Sequence, residues 1–94
     1  MLSKIPGDIE SLEQAVLERE AIRAAIIGEF DAIDLYEQLA AQSKDPLVKK
    51  VLLDIAGEEK THVGELTELL KRLDPEQKEE FEHGREEVEE LGEE

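Results

Sequence analysis

Ninety-four residues suffice for one small domain at most, with little surface to hide against the entropy lost on folding, so association or a bound metal is expected to help hold it. No cysteine is present, which excludes disulfide staples and thiolate metal sites of the zinc-finger kind. A formal net charge of −15 excludes binding to nucleic acid or anionic lipid, where contacts would be made against the chain's own charge, and leaves cations as the natural partners.

Residues 1–8 have neither the basic end nor the apolar run of a signal peptide, and no stretch approaches the roughly 20 apolar residues that span a bilayer, so a cytoplasmic location is expected. The rest of the chain is rich in Glu, Leu, Ala and Lys and lacks period-two alternation, which predicts an all-α fold in a single domain, residues 1–94. A first helix is predicted over residues 8–43. Asp45-Pro46 then offers a capping carboxylate and a proline at the first helical position, opening a second helix over 46–73. Asp74-Pro75 repeats the device and opens a third helix over 75–91, whose large apolar residues are Phe81, Val88 and Leu91. So short a turn between the two long helices predicts an antiparallel hairpin. Gly28, Gly57 and Gly64 interrupt the helical pattern and are expected where helices approach closely. The acid is concentrated at the end: ten Glu between Pro75 and Glu94 face only Lys78 and Arg85. That segment reads first as a solvated face.

Steps of four and three along the second helix pick out Val48, Leu52, Ile55, Glu59, His62, Leu66, Leu69 and Leu73, the pattern of a core-facing seam. Its two middle residues are a carboxylate and an imidazole three apart, so both project from one side of the helix. The first helix gives Ile22, Ile26, Glu29, Ile33, Tyr36 and Ala40, with another glutamate centred among apolar residues. Burying carboxylates costs several kcal/mol per ion unless each is paired or coordinated. Neither stripe carries Lys or Arg between Ile22 and Leu73, so a metal ion is the more economical counter-charge. Oxygen ligands with one histidine suit Fe, Mn or Zn. A lone glutamate in such a stripe can instead reach solvent at an edge; three polar groups converging from two helices make that the weaker reading.

A Glu on one helix with Glu-x-x-His on the next is half the ligand set of a di-iron carboxylate bundle, and a two-fold axis would complete it with four carboxylates and two histidines. From the Glu29 to Tyr36 spacing through Glu58-Glu59-Lys60-Thr61-His62, the chain resembles the encapsulated ferritins, two-helix ferritin-like proteins held inside encapsulin nanocompartments. The resemblance covers about residues 11–91. It implies a homodimer closing into a ferritin-like four-helix bundle, with a di-iron ferroxidase centre at its interface. It further implies an annular decamer built from such dimers, and oxidised iron passed on to an encapsulin shell protein for storage. Carried over residue by residue, Glu29, Glu59 and His62 would be iron ligands and catalytic residues, Tyr36 a neighbour of the site that shares in the catalysis, and Asp31 a further metal-binding acid that gathers incoming metal. Gly28 and Leu35 stand where the family often has an acid and an aromatic.

Glu80 and His83 repeat the Glu-x-x-His spacing among Glu79, Glu82 and Glu86, with no apolar stripe around them, and read first as solvated. Tyr36 is either an amphipathic core tyrosine or a group that tunes the metal through a ligand carboxylate. Glu58, Glu65 and Glu68 fall outside the seam. The functional alternatives to a ferroxidase are a metal-stabilised structural or adaptor bundle without catalysis, and a metal-free coiled-coil module.

Overall fold

A computed structural model of the chain describes residues 14–93; the expected start of the first helix at residues 8–13 lies outside the described residues. Three α-helices follow one another, α1 (Gln14–Gln42), α2 (Pro46–Leu73) and α3 (Pro75–Glu93), and the described residues contain no strand. The third helix runs two residues past the end expected at 91, and the first stops one residue short of 43.

The turns explain these limits. Ser43 N–H donates to the carbonyls of Leu39 and Ala40 at 3.1 and 3.2 Å, closing α1. Asp45 is extended (φ −89°, ψ 119°), and its carboxylate accepts from the N–H groups of Leu47 and Val48 at 2.9 and 3.2 Å, taking two of the donors a helix start leaves unmet. Pro46 follows where the missing N–H costs nothing. The second corner has one residue, Asp74. Its N–H closes α2 on Leu70 O at 2.8 Å, its Oδ1 accepts from Gln77 N–H at 3.1 Å at the start of α3, and its Oδ2 accepts from Arg23 Nη2 at 2.8 Å. Arg23 is 51 residues away on α1, a link that no local pattern signals.

Pairs across the hairpin run in opposite chain directions, Arg23 with Asp74 and Glu37 with Lys60, so α1 and α2 are antiparallel. They meet at small or slender side chains: the buried apolar residues are Ile33, Ala40, Ala56 and Leu70. Of the expected seam on α2, Leu52, Ile55, Leu66 and Leu73 are half-buried, while Val48 and Leu69 remain 46% exposed. The apolar stripe is wider than a single neighbouring helix can cover, so its edges face outward. No residue of α3 is buried. The expectation for the interior glycines fails at two positions: a Cβ added at Gly57 or Gly64 would meet nothing within 4 Å, so neither marks a close approach within the hairpin.

Candidate metal centre

Glu29 comes from the middle of α1, and Glu59 and His62 from the middle of α2, where the antiparallel pairing brings the two polar interruptions level. Glu59 and His62 share a face because three residues advance a helix by nearly one turn. The His62 Nδ1 lies 3.3 Å from Glu59 Oε2 and 3.5 Å from Glu29 Oε2, and one ligand atom from each of the three residues lies within 4.8 Å of the others. The side chains of Glu29 and Glu59 are 24% and 21% exposed and that of His62 is 47% exposed, so the cluster opens onto one flank of the hairpin.

Electrostatically the cluster is incomplete. Two carboxylates face one imidazole, and among the described residues neither carboxylate has a Lys or Arg partner. Glu29 Oε2 is buried and accepts no hydrogen bond, the costly condition for a charged acceptor. Lys60, next to Glu59 in sequence, is engaged with Glu37 on α1 at 2.9 Å. Two carboxylate oxygens and an imidazole nitrogen are a donor set for a first-row divalent ion, and an unmet acceptor among them is what an absent cation would leave. The residues present therefore fit a metal.

Of the other residues singled out from the sequence, Tyr36 is half-buried two helical turns along the Glu29 face, and Asp31 is exposed and outside the group of three. Glu80 and His83 stand 3.4 Å apart on α3, each 60% exposed, and among the described residues no third ligand is gathered beside them. Glu58, Glu65 and Glu68 are exposed, and Glu68 pairs with Arg72 at 3.0 Å. The Arg72 hydrogen bond holds the Glu68 carboxyl below the usual carboxylate range.

The chain is similar to known proteins in sequence and in fold. The chain is 60% identical over 72 residues to the ferritin-like-encapsulin shell fusion protein of Pyrococcus furiosus, covering 77% of this chain and 21% of the fusion protein. It is 37% identical over 60 residues to the encapsulin nanocompartment cargo protein EncB of Myxococcus xanthus, covering 64% of this chain and 38% of that protein. It thus spans well under half the length of either curated relative. The fold is similar to the crystal structure of the encapsulated ferritin domain from P. furiosus, with a TM-score of 0.81 at 48% identity, covering 94% of this chain and 93% of that one. No helix among the described residues is long and apolar enough to cross a membrane. The family model described as Rubrerythrin matches residues 20–94, and the chain belongs to this rubrerythrin family of ferritin-like helical domains.

Proposed function

We propose that this chain is one ferritin-like half-bundle that oxidises Fe(II) to Fe(III) with dioxygen at a site completed by a second copy of itself. The observation that carries the reading is the buried Glu29 Oε2, without a hydrogen bond, beside His62 Nδ1 and Glu59. One hairpin supplies two carboxylates and one imidazole, too few to enclose an ion. Two hairpins about a two-fold axis supply four carboxylates and two imidazoles, the ligand count of a di-iron carboxylate site. The scarcity of buried apolar residues in a single hairpin supports the same pairing.

Iron is here the substrate, and each Fe(II) gives one electron to dioxygen. The chain's part is binding and bias. Glu29 and Glu59 bring anionic oxygens that bind the more highly charged Fe(III) more strongly than Fe(II), which favours electron loss. His62 offers Nδ1 toward both carboxylates and so fixes where the ion sits between them. Half-buried Tyr36, two turns along the Glu29 face, would act beside the site, and exposed Asp31 and Glu58 would raise the local cation concentration around it. The names of the relatives support an encapsulin nanocompartment as the setting, with an encapsulin shell protein as partner and stored iron as the outcome. The resemblance to encapsulated ferritins supports an annular decamer of such dimers.

The test is to mix anaerobic protein with Fe(II), admit air and follow Fe(III) absorbance, with native mass spectrometry before and after iron. Oxidation well above the buffer rate, with iron and subunits in equal numbers, is expected. Metal binding and assembly at the buffer rate of oxidation would instead favour a structural bundle riveted by the ion.

A further inference from the structure

Charge is unevenly shared along the stretches of α1 and α2 that carry the site. Residues 24–43 and 51–70 hold four and five carboxylate residues respectively, against a single basic residue, Lys60. It follows Glu59 directly, which makes it the nearest Lys or Arg in sequence to a site whose Glu29 Oε2 accepts no hydrogen bond. An ammonium on a flexible stem is well suited to neutralise such a pair of carboxylates, and any incoming ion would then have to displace it. Lys60 does not take that role: its Nζ lies 2.9 Å from Glu37 Oε2.

The sequence explains why Lys60 goes to α1. On its own helix the residues three and four positions away are Ala56, Gly57, Val63 and Gly64, none of which carries a charge, so no pair within α2 can hold it. Gly57 and Gly64 also leave space for the stem one turn before and one turn after it, since a Cβ at either would meet nothing within 4 Å. Glu37 therefore does the steering. It stands eight residues beyond Glu29, about 12 Å along α1, so the pair draws the ammonium along the hairpin and away from the Glu29 carboxylate. With side chains 60% and 43% exposed, the pair adds little to the stability of the fold. Where it holds the ammonium nevertheless decides how much negative charge the site presents to a cation.

We propose that Glu37 is a positioning residue for metal binding: by holding Lys60 it keeps the one nearby ammonium from pairing with Glu59, and so leaves both carboxylates to the ion. This inference rests on the reading of Glu29, Glu59 and His62 as ligands. In Glu37→Gln the ammonium loses its acceptor and turns to the carboxylate beside it in sequence, where it competes with metal.

A double-mutant cycle tests this in the full chain, with Zn(II) as a redox-inert probe titrated by calorimetry into metal-free protein. Glu37→Gln in the parent is expected to weaken Zn(II) binding roughly tenfold. In a Lys60→Met background, where no ammonium remains to be released, the same substitution should change binding by less than about twofold. Loss of a distant negative charge would weaken binding equally in both backgrounds, and that additive result overturns the proposal. Trace acetylation read by mass spectrometry follows the lysine itself. Adding Zn(II) to Glu37→Gln protein should raise labelling of Lys60 severalfold as the ion displaces it from Glu59, while labelling in the parent stays level. No rise in the variant also overturns the proposal. Both positions are exposed, so all four proteins should share one helical circular dichroism spectrum. A parent that binds no Zn(II) overturns the reading of the site and this inference with it, whereas a parent that binds, with an additive cycle, overturns the role of Glu37 alone.

Discussion

The two Glu-x-x-His pairs hold their side chains at nearly the same distance, 3.3 Å for Glu59 and His62 and 3.4 Å for Glu80 and His83, yet their surroundings differ at every other point. The pair on α2 has Glu29 brought against it by a second helix, and both of its neighbours along the stripe are apolar. The pair on α3 lies on a helix with no buried residue, where water solvates each group at no cost to the fold. Spacing along a helix places two groups on one face. A second helix supplies the third group and the low-dielectric wall that turn the face into a demand for a cation.

That contrast can be broken most decisively by activity. Replacing Glu59 and His62 with alanine is expected to bring Fe(II) oxidation down to the buffer rate, whereas alanine at Glu80 and His83 leaves it at the parent level in the same absorbance assay. A loss from the α3 pair as large as that from the α2 pair would end the distinction. Melting temperature gives the next largest effect. A redox-inert ion such as Zn(II) at a hundred times its dissociation constant adds about 2.7 kcal/mol, or roughly 10–20 °C for a chain of this size, and scanning calorimetry should show this shift in the α3 double variant and not in the α2 one. Smaller still is the cost of the unmet acceptor. Glu29→Gln should stabilise metal-free protein by about 1 kcal/mol in urea unfolding and cancel most of the Zn(II) shift, since it removes a charge whose Oε2 has no hydrogen bond.

The smallest effect concerns the solvated helix alone. Hydrogen bonding to Arg85 holds the Glu82 carboxyl below its ordinary value of 4.5. A depressed carboxyl contributes stability that is present above the unfolded value and lost as pH falls through the folded one, so this contribution to α3 fades below about pH 4.5. With Arg85→Ala, an NMR titration should find Glu82 back in the ordinary range and this part of the acid dependence gone. Both groups are exposed, so global stability at neutral pH should stay within the scatter of surface substitutions.

The helix limits were legible because Asp45-Pro46 and Asp74-Pro75 combine two local signals, a capping acceptor and a residue that cannot extend the preceding helix. The gathering of Glu29, Glu59 and His62 was legible because each interrupts a periodic apolar stripe, whereas the 47% exposure of His62 was not. Burial was less so. Periodicity gives the average direction of the apolar side, but which residues are covered depends on where the other helix lies, and it lies over Ala56 and Leu70 rather than Val48 and Leu69. Asp31, two residues and some 200° along the helix from Glu29, stands outside the group of three, so any part it takes in gathering metal is played from the rim. The bond from Arg23 to Asp74 joins positions 51 residues apart, and nothing near either position in sequence announces it.

The corner at Asp74 has no slack. The link at 43–45 can absorb a change by bending, but a single residue joins α2 to α3 while ending one, starting the other and gripping α1. An insertion or deletion there would rotate everything downstream by about 100° and point Val88 and Leu91 in another direction without altering either residue. The length of this corner thus acts as a vernier for α3, and variants of the chain should tolerate changes of composition along that helix far better than changes in the count of residues before it.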